Sequence, residues 1–235
     1  MSIADNIARV KQRISEAAAR AGRNPDSITL MAVSKVVEPD RIRQAYEAGI
    51  RIFGENRVQE FSDKASAVKD LAQAEWHLIG HLQSNKANKA AGLFYAIDSV
   101  DSLRLAQKLD QAAQQAGKIL PVLIEINVGG EENKSGIAPD SPELEEMLKA
   151  ASSLQHLEVR GLMTIPPYTE QPEGARPYFQ KLRDLRDQIA SRSVPRIQMD
   201  VLSMGMSHDF EIAIEEGSTC IRVGTAIFGE RPKQP

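Results

Sequence analysis

One cysteine, Cys220, is all that the 235 residues contain, so no intramolecular disulfide can form. It sits inside the apolar run Thr219-Cys220-Ile221-Arg222-Val223, a setting for a small buried hydrophobe rather than a nucleophile or ligand. An excess of one charge is also missing. Lys and Arg number 29 against 32 for Asp and Glu, a formal net charge of -3. The basic residues are spread out rather than run together, which argues against a nucleic-acid surface and against a polybasic membrane anchor. No stretch approaches the roughly 18–20 apolar residues of a membrane span, and the N-terminus opens straight into an amphipathic pattern without an apolar signal core. These absences predict a soluble, cytoplasmic protein. No Pro/Gly/Ser-rich linker or low-complexity tract divides the chain, so residues 1–235 read as a single domain. His77, His81, His156 and His208 make no metal-ligand spacing.

What is present is a regular alternation. Ile3, Ile7, Val10, Ile14, Ala17 and Ala21 recur at helical spacing, and Gly22 supplies a stop. Apolar runs at 28–33, 50–53, 76–79, 93–97, 119–128, 157–165, 199–202 and 219–223 then read as eight strands. Helical patterns lie between them. Pro39 opens one that closes at Gly49, and Leu103, Ala106, Leu109 and Ala113 share the face of another. Ser141-Pro142 supplies an N-cap and first-turn pair, and Phe179, Leu182, Leu185 and Ile189 line a long helix. A short helix is expected at 209–216. Strands separated by helical crossovers imply a parallel sheet. A doubly wound open sheet would show the same alternation. Eight units in this length, with an extra N-terminal helix left to cover one end, fit a closed α/β (β/α)8 TIM barrel better.

In a barrel, functional groups gather where strands end and loops begin. Those positions hold Lys35, Asn56, His81, Asp98, Met163, Ser203 to Ser207, Arg222, and Gly224 with Thr225. A lysine just after a buried strand projects into the mouth. Partial desolvation there lowers its pKa and favours the neutral amine that attacks an aldehyde. The plainer alternative is an ammonium that simply reaches solvent. Ser203-Met204-Gly205-Met206-Ser207 joins a strand to a helix start, and Gly224-Thr225-Ala226 follows the last strand. Backbone N–H groups and the Ser207 hydroxyl can converge there on an anion, at the two loops where barrels often bind phosphate. Equally, Ser207 could cap its helix and Gly224 could turn the chain. Arg222 shares its facing with Gly224; turned inward, it needs a structural counter-ion or a ligand ring.

Several stretches together carry a resemblance. They are Ala32-Val33-Ser34-Lys35, Phe53 to Glu60 (FGENRVQE), Trp76 to Lys86 (WHLIGHLQSNK), Asn133-Lys134-Ser135-Gly136, Gly161-Leu162-Met163-Thr164, Leu202 to Ser207, and Arg222 to Gly229 (RVGTAIFG). In this order, over nearly the whole chain, they resemble the pyridoxal phosphate homeostasis protein family. The resemblance implies a fold-type III barrel, like the N-terminal domain of alanine racemase, with pyridoxal 5'-phosphate as cofactor and Lys35 as its Schiff-base lysine. It assigns the phosphate to Ser207, Gly224 and Thr225, with Ser203 in the same segment. Arg222 would face the pyridine nitrogen, and Asn56 and Met163 would line the ring. An arginine there disfavours pyridinium protonation and makes the ring a weaker electron sink.

The resemblance implies binding and supply of the cofactor, with effects on amino-acid pools and without robust catalysis. PLP-dependent apo-enzymes are the expected receivers. An amino-acid racemase of the same fold is the alternative. Racemases of this fold take an opposing tyrosine from a second, β-rich domain, whereas here the eight units consume the chain and only Tyr168 is placed to reach the mouth. A Schiff-base aldolase acting on a sugar phosphate, or a pure interaction protein, would also be permitted by pattern. A complete barrel without a dimerising appendage points to a monomer.

Overall fold

The computed structural model describes residues 2–131, 134–192 and 194–230. Eight parallel strands close into a barrel in chain order: β1 (Thr29–Val33), β2 (Ile52–Glu55), β3 (Glu75–Leu78), β4 (Ala96–Val100), β5 (Leu120–Glu125), β6 (Leu157–Met163), β7 (Ile197–Met206) and β8 (Cys220–Val223). The seam is β1 on β8, with Thr29 opposite Cys220 and Ala32 opposite Val223. Residues Glu132, Asn133 and Ser193, and 231–235, lie outside the described residues, so the Asn133 part of the family motif has no place in the account that follows.

Helices ring the barrel: α1 (Ile3–Arg20), α2 (Pro39–Glu47), α3 (Val58–Lys64), α4 (Ala87–Leu93), α5 (Leu103–Gln115), α6 (Pro142–Ala150), α7 (Arg176–Ser191), α8 (Phe210–Glu215) and the single turn α9 (Thr225–Phe228). A capping box of Ser2 and Asp5 starts α1, which buries Ile3, Ile7, Val10 and Ile14. Instead of covering an end, α1 packs against α2, α8 and α9. The four-residue α9 is too short to flank the seam, and α1 takes that place in the ring. Ion pairs Arg13–Glu211 (2.6 Å) and Arg20–Glu215 (2.8 Å) hold it, with a bond from Asn6 Nδ2 to Ile227 O at 2.8 Å.

The main core lies between sheet and helices. Phe53, Trp76, Phe61 and Phe94 stack in sequence there, with successive ring centroids 4.6–5.0 Å apart. Inside the barrel, among the described residues, Met31, Ile79 and Cys220 form a small buried apolar cluster with Val33, Ile52 and Val201 packed against it. Much of the remaining interior is polar: Glu55, Asp98, Glu125, Ser203 and Arg222 are all buried. Strand pairing is tight enough that a Cβ on Gly161 would lie 1.8 Å from Val201 O.

Several strands differ from the sequence expectation: β2 lies at Ile52–Glu55 and not at 50–53, β5 and β6 stop at Glu125 and Met163 short of 128 and 165, and two further differences bear on the site. β7 runs on through Ser203 to Met206, where a loop is expected from 203. β4 begins at Ala96 and ends at Val100, so Asp98 is mid-strand and not at a strand end. In both cases a polar side chain satisfied inside the barrel stands where polarity signals a loop.

Candidate functional site

Lys35 occupies a turn directly after β1 and is half-buried. The turn is held from both sides. Ser34 is fully buried; its hydroxyl donates to Glu55 Oε1 at 2.6 Å and its N–H to Gly54 O at 2.9 Å. Lys64 Nζ donates to Ser34 O at 2.8 Å and pairs with Glu55 (2.8 Å) and Glu60 (3.2 Å). Val36 N–H donates to Glu60 Oε1 at 2.6 Å. Val36 sits at φ 54°, left-handed backbone that a β-branched residue adopts only under constraint, at a cost of about 1–3 kcal/mol. The Glu60 bond is that constraint, and it fixes how the lysine leaves the strand. Burial holds Glu55 above the usual carboxylate range despite Lys64 and Ser34.

Asn56, the residue after β2, is half-buried, and its backbone lies on Gly80, where a Cβ would approach Asn56 O to 2.3 Å. His81 follows on the same loop, exposed and bonded through Nδ1 to Asp101 at 2.8 Å. Met163 ends β6, fully buried, with Glu125 and Ser203 as its register partners.

Arg222 is 2% exposed in the barrel interior. Its Nη1 donates to Ser203 Oγ at 2.8 Å and its Nη2 to Thr164 O at 2.7 Å. Among the described residues no carboxylate reaches ion-pair distance of it; burial pulls its pKa down against the fields of Asp98, Glu125 and Asp209. Arginine stays charged nonetheless. A buried cation is thus held by neutral oxygens, with N–H donors of the five-fold set still to give. Ser203 is fully buried and its hydroxyl is bonded to the arginine, which makes it a support for Arg222.

Ser207 and the 224–226 segment meet: Ala226 N–H donates to Ser207 Oγ at 3.3 Å. Ser207 does not cap α8, whose N-cap is Asp209. Gly224 has an ordinary φ of -109°, and a Cβ there would meet nothing closer than Val33 at 3.5 Å, so the protein's own packing does not demand glycine. Thr225 is exposed. The structure therefore brings Lys35, Asn56, Met163, Ser203, Ser207, Arg222, Gly224 and Thr225 to the end of the barrel where the strands finish. Asp98 is not among them: it bonds His77 at the opposite end. Tyr168 is 81% exposed on the loop after β6, its ring stacked on His208 with centroids 5.7 Å apart.

Two features were not foreseen. The Glu55–Glu60–Lys64 clamp has a sequence trace, the charged FGENRVQE stretch following a strand. Glu125 does not, because it lies inside the long run 119–128. It is buried where β5 ends, and Oε2 has no hydrogen-bond partner among the described residues. Burial, with the Asp101 charge added, drives it up to about 7 against the pull of Arg222 and His81.

Residues 3–232 match the family described as alanine racemase, N-terminal domain. A pyridoxal phosphate homeostasis protein of Aquifex aeolicus (strain VF5) is 47% identical over 231 residues, covering 98% of this chain and 99% of the relative. The structure of PipY from Synechococcus elongatus PCC7942 with PLP bound is 38% identical, covers 97% of this chain and 100% of that one, and has a TM-score of 0.84. Alanine racemase of Clostridium difficile 630 is 14% identical, covering 98% of this chain and 58% of that chain, with a TM-score of 0.73; that likeness is one of fold alone.

Proposed function

This chain belongs to the pyridoxal phosphate homeostasis protein family, on the alanine racemase N-terminal domain fold, and from that premise we propose that it holds pyridoxal 5'-phosphate on Lys35 and serves intracellular supply of that cofactor and amino-acid balance, without robust turnover. The observation that carries the reading is Arg222, a buried cation bonded to neutral oxygens beneath the mouth that Lys35 enters. Its remaining N–H donors suit a pyridine nitrogen kept unprotonated. The bound cofactor supplies an electrophilic aldehyde and an electron-withdrawing ring.

The chain's own residues do the rest. The Glu55–Glu60–Lys64 clamp aims Lys35 and keeps its strained turn in one conformation. Ser203 orients Arg222. Ser207 Oγ, with the N–H groups of Gly224 and Thr225, cradles a phosphate, and the bare Cα of Gly224 lets it approach. Asn56 and Met163 flank the ring. We read the chain as one cytoplasmic, monomeric unit that passes the cofactor to dependent apo-enzymes through a mouth with exposed rim residues such as Thr225. The racemase alternative gains nothing from Tyr168, which stacks on His208 at the rim.

Borohydride reduction of the protein after incubation with pyridoxal phosphate, followed by peptide mapping, tests this. The reduced adduct is expected on Lys35, with a visible-edge absorbance band beforehand that Lys35→Ala abolishes. A colourless protein, or an adduct mainly on another lysine, overturns it.

A further inference from the structure

The single turn α9 cannot hold itself in place. A first hydrogen-bonded turn costs more backbone order than its bonds return, so four residues are far short of a helix stable alone. Its internal bonds use two carbonyls. Gly224 O accepts from the N–H groups of Ile227 (3.0 Å) and Phe228 (2.8 Å), and Thr225 O from that of Gly229 (2.8 Å). The carbonyls of Ile227 and Phe228, the last two of the turn, are left over, as at any helix end. Side chains of two other helices take them. Asn6 on α1 donates from Nδ2 to Ile227 O at 2.8 Å, and Arg41 on α2 donates from Nη2 to Phe228 O.

Each donor is itself aimed. Arg9 Nη2 donates to Asn6 Oδ1 at 2.6 Å, which turns the other end of that amide to Ile227. The Arg41 guanidinium lies over the Phe228 ring, 6.0 Å from its centroid, a distance at which cation–π attraction acts. Burial cannot replace these bonds. Ile227 and Phe228 are buried and anchor the turn to the core, but apolar burial is non-directional and tolerates a turn rotated about its own axis. Hydrogen bonds weaken steeply with angle and so fix that rotation.

What turns with α9 is the segment 224–226, whose Ala226 N–H meets the Ser207 hydroxyl at 3.3 Å. The same segment borders the lysine strand: a Cβ on Gly224 would lie 3.5 Å from Val33, two residues before Lys35. Helix α2, which carries Arg41, begins at Pro39, four residues after Lys35. Arg41 therefore fastens the element that follows Lys35 to the element that follows Gly224. Arg43, two residues along the same helix, does something else. Its guanidinium forks onto Asp70, beyond α3, at 2.6 and 2.7 Å, and so ties α2 to a different neighbour.

Given a phosphate held by Ser207, Gly224 and Thr225, the reading on which this rests, we propose that Arg41 and Asn6 are positioning residues for that phosphate. They hold the two terminal carbonyls of α9 and thereby fix the aim of the Gly224 and Thr225 N–H groups at its other end. A cradle aimed in advance spares the incoming ligand the cost of ordering it. Loss of either side chain is therefore felt by the phosphate of the ligand and not by its aldehyde.

Absorbance titration of the parent chain and its variants with pyridoxal phosphate, and with pyridoxal, the same aldehyde without the phosphate, tests it. The readout is the preference for the phosphorylated ligand, the ratio of the two dissociation constants. Arg41→Ala and Asn6→Ala are each expected to cut that preference about five- to tenfold, the scale of one hydrogen bond, with pyridoxal bound within about twofold of the parent. Arg41→Lys, which keeps a charged donor, should recover most of it. Arg43→Ala should leave the preference in place, whatever it does to the melting temperature. A preference unchanged in Arg41→Ala and Asn6→Ala, a loss shared equally by the two ligands, or an equal fall in Arg43→Ala overturns the proposal alone. A parent chain that does not prefer the phosphorylated ligand overturns the phosphate placement beneath it as well.

Discussion

Where the strands end, Arg222 is buried among neutral oxygens; where they begin, His77 is buried against a carboxylate. The difference follows from the two side chains. A guanidinium cannot shed its proton, so its field persists whatever lies beside it. An imidazole can, and stays charged in a buried site only when a counter-ion holds the proton on. The lower end therefore carries its own compensation and keeps its pair whether or not anything binds. The upper end leaves its charge for the mouth, which is the arrangement of a site built around an incoming acceptor.

Breaking the lower pair gives the largest expected effect. Asp98→Ala removes the counter-ion that keeps His77 protonated, so the imidazole sheds its proton, and about 3 kcal/mol is expected to be lost at pH 7, read from urea denaturation. Because the folded His77 value is raised to about 9 from an ordinary 6.5, the stability it contributes is complete below about 6.5 and disappears as pH rises through 9. The cost of Asp98→Ala should therefore shrink at roughly pH 10, and an equal cost at pH 7 and 10 would show that charge is not what the pair supplies.

Glu125 sharpens the upper half of the comparison. It is an acid whose folded value is raised from 4.5 to about 7, so the native chain binds its proton more tightly than the unfolded one. Stability should fall by up to about 3 kcal/mol as pH rises from 4.5 to 7, then level off as far as this group is concerned. Glu125→Gln should remove its share of that slope and leave the His77 window intact; a variant whose stability falls between pH 4.5 and 7 as steeply as the parent's refutes the assignment, since Glu55 and Asp209, also raised by burial, account for only the remainder. The smallest effect is expected at the turn beside Lys35. Val36→Gly relieves left-handed strain and, after the entropic cost of glycine, should stabilise by up to about 1 kcal/mol in thermal melts. A clear loss instead would mean that the exposed Val36 side chain packs on something.

The eight-fold alternation was legible because strands covered on both faces read as continuous apolar runs. Lys35, Asn56, Ser207 and Gly224 were legible as strand-end positions. The failures share one cause, the polar barrel interior. Ser203 looked like the start of a loop, yet its hydroxyl is used inside the strand by Arg222. Asp98 looked like a strand end, yet β4 bulges there to meet His77. Glu125 went unnoticed because its neighbours on β5 are apolar. Neither the β5–β6 bulge at Arg160 nor the positive φ of Val36 leaves a mark in residue types, since both arise from register and from contacts distant in sequence.

The β1–β8 seam has a consequence for how the protein is made. Lys35 follows the first strand to leave a ribosome, and Gly224 and Thr225 follow the last. Closing that long loop is the costly non-local step of folding. Until it closes, Lys35 is a lysine on an open strand edge, with neither Arg222 nor the Ser207–Ala226 contact opposite it. The capture of a reactive aldehyde proposed for Lys35 thus belongs to finished chains. A nascent or clipped chain would compete for it no better than any surface amine.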